Sequence, residues 1–521
     1  MLDPATAVRV DGQPEVRPTA YVSDTLLVRT RADQGVGRDL LASVAAEAGL
    51  QLEEDPDSEG ERNLLDSIDL RDEHRALLDE AWVERVRLVP AERLERATAP
   101  VDAWEILQSY RMASARLETG YVGLEHLVSA TAGIGGTPYT IPHGATGNPY
   151  TIPHGTSGNP YPIPHSGNGV ASYAFPGTGG RQPVTWLGPP PQPKHEAKPG
   201  GPRRPVVAVL DTGVCTHEWF DADHVVTEPE VLGVPLGIPP SVPDSELTGS
   251  RDTLVGGIEP DVGHGTFITG LIRQRCPDAT VLAVRVFHGD GVVAEGDLLA
   301  TLRRLCLRQL VALSPNTPYQ VVDVVSLSLG YYHEQPEDPA FDPLLMAPLS
   351  LLGRLGVTVV VSAGNDATSR PMYPAAFASY PGGPPRAAHG EVPILAVGAL
   401  NPDRTIAMFS NDGPWVRYLR PGAALVSTYP STINTSMNPI ASQRHHGAWR
   451  ASIDPDDFSS GFATWSGTSF SAPVLAGDIA AALLEQFDAG ADGASVEDAV
   501  ERATKVIADL ASGAPENAVG P

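Results

Sequence analysis

The stretch VVAVLDTGV, residues 206–214, runs an unbroken apolar segment straight into an acid and a glycine. A short apolar run bounded by turn residues is the pattern of a strand buried on both faces, and such strands belong to parallel sheets covered by helices. Working outward, the same kind of run recurs at TVLAVRVF (280–287), VVDVVSLSL (321–329) and VTVVVSAG (357–364). Helical patterns lie between these runs, at 264–274, around 296–312 and around 343–355. This alternation predicts an α/β fold over residues 205–490, with a doubly wound, mostly parallel sheet. In sheets of that kind the reactive groups gather at the carboxyl ends of the strands, and Asp211 stands at one such end.

The flanks read differently. Residues 20–130 predict a small α+β domain. It has a strand at YVSDTLLVRT, a helix with Leu40, Leu41, Val44, Ala45 and Ala48 on one face, a strand at WVERVRLVP ended by Pro90, and a helix at VDAWEILQSYRMASA. Residues 1–19 are expected to be a flexible N-terminus and 491–521 a C-terminal extension. From 131 to 204 the composition turns to Gly, Pro, Ser, Thr and Asn, and a short repeat places Tyr139, Tyr150 and Tyr161 in register with His143, His154 and His165. Proline at this density favours extended chain and cannot bury a core, so the stretch reads as a linker. A metal site on the repeated histidines is the weaker reading, because no cysteine or carboxylate accompanies them.

Composition narrows the classes. At 521 residues the chain is long enough for a catalytic domain and an accessory one. A formal net charge of -27 disfavours nucleic acid or an anionic membrane as a partner, since both would repel it. The cysteines Cys215, Cys276 and Cys306 are odd in number and lack metal-ligand spacing, so neither a disulfide framework nor a metal site is expected. No segment has the apolar length of a signal core or a membrane span, which predicts a soluble, cytoplasmic protein; export by a non-standard route stays open.

Four segments carry reactive side chains: VLDTGV with Asp211, GHGT with His264, SAGN with Asn365, and GTSFSAP with Ser469 leading into a long apolar helix. Taken singly, each has a plain structural reading. The Asp caps a turn, the His lies in a loop, the Asn is a turn residue after Gly364, and the Ser is a helix N-cap. Together and in this order they resemble the signature segments of the subtilisin-like (subtilase) serine proteases, over about residues 205–488.

The resemblance implies an Asp211, His264 and Ser469 triad, with Asn365 as oxyanion donor. A serine hydroxyl needs a neighbouring base with a pKa near the working pH, which suits His264, and Asp211 would orient that ring. It also implies that Ser328, Leu329 and Gly330 pair with the substrate backbone, and that Ser362, Ala363 and Gly364 line the cleft. Substrates would be proteins or peptides bound as an added strand. Residues Leu419, Arg420, Pro421 and Gly422 and a polar insertion at about 430–460 depart from the family pattern, and leave side-chain preference open. No cofactor is assigned. Calcium is common in such proteins, but no loop here has an EF-hand pattern.

The 20–130 domain resembles a subtilase propeptide in size, position and element order, which makes it an intramolecular partner that restrains the enzyme. An unrelated binding module is the alternative for this domain. For the whole chain, the alternative is a non-hydrolytic scaffold that kept the fold. The filled reactive positions favour an enzyme.

Overall fold

A computed structural model describes residues 1–9, 14–29, 36–68, 70–91, 100–114, 122–131, 170, 173, 177, 179–195, 203–248, 254, 256–314, 317–336, 344–383, 390–491 and 495–512. The Tyr/Pro/His repeat lies outside these residues.

The N-terminal part is an antiparallel sheet backed by helices. Strands β1 (Tyr21–Arg29), β2 (Leu50–Glu54), β3 (Val83–Pro90) and β4 (Val122–Ala130) are ordered β4-β1-β3-β2. Helices α1 (Val36–Glu47) and α2 (Ala103–Ser114) cover one face, where Leu41, Val44 and Ala45 meet Trp104, Leu107 and Tyr110 over Leu26 and Val28. Residues 1–19, expected to be flexible, are held where they are described. Leu2 bridges Thr19, Leu2 and Val16 are buried, and the Trp104 indole donates to Val8 O at 2.9 Å.

The C-terminal part is organised by a parallel sheet built from the apolar runs. Its strands are β5 (Val206–Asp211), β6 (Val225–Val226), β7 (Thr280–Arg285), β9 (Val324–Leu327), β11 (Thr358–Ser362), β12 (Leu395–Leu400) and β13 (Val416–Pro421), ordered β13-β12-β11-β9-β5-β7-β6. Two short strands of this part, β8 (Val292–Ala294) and β10 (Leu329–Gly330), lie outside the parallel sheet and pair with β4. Alternation along β5 shows why its run is apolar throughout. Val206, Ala208 and Leu210 face helices α4 (Glu295–Ala312) and α5 (Met346–Arg354), while Val207 and Val209 face α3 (His264–Arg275) and α6 (Thr468–Asp488). Cys215, Cys276 and Cys306 are all buried free thiols.

Both expected boundaries around this part shift. Helix α7 (Val496–Ser512), beyond the expected end at 490, packs Ala503, Val506 and Ile507 into the same core as α6. Within the stretch read as linker, residues 179–195 lie against the C-terminal part. Gln182–Pro183 pairs with Phe462–Trp465, the Arg181 guanidinium stacks 4.7 Å from the Trp465 ring, and Asp278 accepts from the backbone N–H groups of Lys194 and His195. Backbone pairing of this kind needs no apolar side chains, so the composition gave no sign of it. No helix among the described residues is long and apolar enough to cross a membrane.

The two parts meet along β4. Its first half pairs with β1, while Leu127, Val128 and Ser129 pair with β8, and Ser129 and Ala130 pair with β10. One strand therefore belongs to the N-terminal sheet and, at its end, lies between two edges of the C-terminal part.

Candidate active site

Asp211 is the last residue of β5, where the chain leaves the sheet and a side chain projects past the strand ends. His264 opens α3, immediately after Gly263, whose φ of 85° is the left-handed turn that ends the preceding loop. A Cβ on Gly263 would lie 2.2 Å from Tyr429 Cε2, and one on Gly265 would lie 2.1 Å from Gly213 O. The glycines of the two motifs thus let the loop after β5 and the start of α3 touch backbone to backbone.

That contact brings His264 Nδ1 to 2.8 Å from Asp211 Oδ1, which also accepts from the Thr212 N–H at 2.8 Å. Both side chains are buried. Burial by itself lowers a histidine pKa, but the Asp211 carboxylate outweighs it, and His264 is raised. The edges of Trp465 and the ring of Phe470 stand around the imidazole, at centroid distances of 5.6 and 5.2 Å.

Ser469 is in the first turn of α6, and among the described residues neither its Oγ nor His264 Nε2 has a hydrogen-bond partner. The structure therefore places both atoms in the cleft without joining them. Asn365 follows β11 and is fixed from one side, since its Oδ1 accepts from Thr468 N and Thr468 Oγ1, both at 2.8 Å. Its Nδ2 is thereby turned outward and donates to the carbonyl oxygen of Thr131. A Cβ on Gly467 would lie 2.7 Å from Ser469 Oγ and 3.3 Å from both Asn365 Nδ2 and Thr131 O, so these groups surround one point.

The remaining sequence candidates line the same cleft. Ser328 O accepts from Thr131 N at 2.9 Å, Leu329 and Gly330 pair with Ala130 and Ser129, and Ser362 Oγ lies 2.7 Å from Thr131 Oγ1. On the other side, Gly291 O accepts from Ala130 N at 2.8 Å. Ala363 and Gly364 carry the backbone on to Asn365.

Sequence reasoning missed two residues. Thr131 stood at the nominal start of the linker, and nothing in its neighbours marks it. Glu246 lies in the single helical turn Ser245–Thr248, which follows a proline-rich loop, and is fully buried; it accepts from Thr212 Oγ1 (2.6 Å), Thr266 Oγ1 (2.6 Å) and the Gly263 N–H (2.8 Å). It thus ties the loop after Asp211 to the helix start that carries His264. Burial pushes its pKa up to about 8. The threonines beside Asp211 and His264 were the available signal, since buried hydroxyls need an acceptor.

Among the described residues, His126, His333 and Glu334 hold ligand-type atoms within 4.8 Å of one another. Two nitrogens in three donors do not match the oxygen set of calcium. The Gln335 N–H donates to His333 Nδ1 at 2.9 Å, which leaves the proton of that neutral ring on Nε2, the atom facing Glu334.

A profile of the subtilase family matches residues 203–520. The chain belongs to the subtilase family. Subtilisin BL of Lederbergia lenta is 26% identical over 260 residues, covering 47% of this chain and 74% of that protein. Serine protease AprX of Bacillus subtilis (strain 168) is 28% identical over 324 residues, covering 54% of this subtilase and 64% of that protein, which is under two thirds of its length. A solved structure of a cold adapted subtilisin-like serine proteinase aligns at 21% identity over 57% of this subtilase and 79% of that chain, with a TM-score of 0.34.

Proposed function

We propose that this subtilase is a serine endopeptidase whose N-terminal domain occupies its own cleft, with Thr131–Ala132 as the first bond cut. The observation that carries the reading is the Thr131 carbonyl. It receives the Asn365 amide while the strand leading to it is paired on both sides, which is how a peptide substrate would lie.

The chemistry follows from the positions. Ser469 Oγ attacks the carbonyl carbon, its proton passes to His264 Nε2, and Asp211 holds the Nδ1–H and stabilises the cationic ring. The former carbonyl oxygen becomes an anion met by Asn365 Nδ2 and the Ser469 N–H, at the positive end of α6. His264 then gives its proton to the departing amine of Ala132, and water repeats the sequence to free the acyl group. The first step needs Ser469 Oγ hydrogen-bonded to His264 Nε2, and neither atom has another partner among the described residues to compete for it.

Intact mass of the full chain tests this. Wild type is expected to yield a fragment ending at Thr131, while Ser469→Ala stays whole and is not labelled by a fluorophosphonate probe. Cleavage of Ser469→Ala at the wild-type rate, or an intact wild type that the probe does not label, overturns the reading.

A further inference from the structure

The side chain of Thr131 points into the space between two backbone segments, Ser328–Gly330 and Ser362–Gly364. Both segments end in a glycine, and glycines there would leave a deep slot if nothing else filled it. Met372 fills it. A Cβ on Gly330 would lie 2.7 Å from Met372 Cε, and a Cβ on Gly364 would lie 2.5 Å from Met372 Sδ, so one side chain touches both walls. A Cβ on Gly364 would also lie 2.2 Å from Asn411 Nδ2.

Neither floor residue is free to swing away. Met372 and Asn411 are buried, and Asn411 is fixed from both ends of its amide. Its Nδ2 donates to Tyr332 OH (2.9 Å) and Ala363 O (3.1 Å), and its Oδ1 accepts from Asp366 N (2.9 Å) and Thr368 N (3.2 Å). At the mouth of the slot the buried Ser362 Oγ meets Thr131 Oγ1 at 2.7 Å.

We infer that this pocket selects a small hydroxyl-bearing residue, threonine or serine, before the scissile bond. Met372 and Asn411 close the floor against long or aromatic side chains, and Ser362 reads the hydroxyl. The inference rests on the endopeptidase reading and adds its substrate class. An aromatic ring would have to displace packed atoms on two sides, which close-packed interiors resist. A residue without a hydroxyl would leave the buried Ser362 hydroxyl without the partner it has here, and sites that bond a hydroxyl discriminate against analogues lacking it.

Two measurements on the full-length protein test it. In the first, wild type is incubated with a proteome-derived peptide library and the cut sites are read by mass spectrometry. Threonine, serine and then alanine are expected before the cut bond, with phenylalanine, tyrosine and leucine at about a hundredth of the threonine rate or less. In the second, self-cleavage after residue 131 is followed by intact mass in Thr131→Ser, Thr131→Phe and Thr131→Phe combined with Met372→Ala. The serine variant is expected to cut, the phenylalanine variant to stay whole, and Met372→Ala to restore cutting. Ser362→Ala is expected to erase the preference for threonine over valine in the library. If Ser469 is labelled by a fluorophosphonate probe and aromatic residues precede the cut bond as often as threonine, the selectivity is wrong while the endopeptidase reading stands. If wild type neither reacts with the probe nor cuts any peptide, both fall.

Discussion

Asn365 and Glu246 show two ways in which one side chain serves a reaction. In the proposed mechanism Asn365 presents its amide to the oxygen that gains charge, and Thr468 holds it in that direction. Asn365→Ala is expected to lower kcat by about two to three orders of magnitude with a smaller change in KM, as measured on a threonyl peptide. Glu246 touches no reacting atom. Its removal in Glu246→Ala strands three buried donors, for an expected loss on the order of 3 kcal/mol in urea unfolding. The variant is also expected to lose tenfold or more in kcat while KM holds, because His264 and Asp211 lose the tie that sets their distance. A fall in stability with unchanged kcat would make Glu246 structural only. Asp211, His264, Asn365 and Ser469 stand out in the sequence as candidates because each lies inside a contiguous motif. Glu246 and Thr131 reach the site across folds of the chain that no local pattern records.

At the scale of the element, helix α6 carries a defect with a purpose. Pro473 has no N–H, so the carbonyl of Ser469, four residues earlier, lacks its usual α-helical donor. The Ser328 hydroxyl supplies one at 2.7 Å. The wall of the substrate cleft is thereby bonded to the backbone of the reactive serine. Ser328→Ala is expected to cost about 1–2 kcal/mol in thermal or urea unfolding, since it leaves a buried carbonyl unpaired. The sheet strands were visible as apolar runs because a layer on each face demands it. Helix α7 is also legible, since Ala503, Val506, Ile507 and Leu510 fall at helical spacing, although no family motif marks it as part of the core. The short strand at Gln182–Pro183 was not legible, because its pairing uses backbone alone.

Taken whole, the molecule is joined by a charged cluster as well as by strand β4. His126, from the N-terminal part, sits between Glu295 (Nδ1, 2.7 Å) and Glu334 (Nε2, 2.9 Å) of the catalytic part and stacks on Tyr331. Arg111 also reaches Glu334, and His333 lies beside it. Burial lowers a histidine pKa, but the two carboxylates outweigh it and lift His126 to about 9, while burial drives His333 down to about 3, so that His333 stays neutral. A pKa raised on docking gives a stabilisation that is complete below the free value of about 6.5 and is lost as pH rises through about 9. The affinity of the separated fragment 1–131 for the catalytic part is therefore expected to fall on the order of 100-fold between pH 6 and pH 10. Inhibition titrations read this directly, and His126→Gln is expected to flatten the profile. An unchanged affinity over that range would show that the cluster does not contribute to docking.

The three buried thiols make the protein its own clock for opening. Burial pushes the pKa of Cys215 and Cys306 up to about 12 and that of Cys276 to about 11, so in the closed state a thiol reagent finds neither access nor thiolate. Labelling can proceed only through transient exposure, and its rate at each position measures how often that neighbourhood comes apart. Cys215 sits just past Asp211, Cys276 at the end of α3, and Cys306 in the middle of α4, the helix that faces the N-terminal part. A pulse of maleimide followed by peptide mapping is expected to mark all three at one slow rate if the molecule opens as a unit. If the N-terminal part departs first, Cys306 is expected to be marked ahead of the other two.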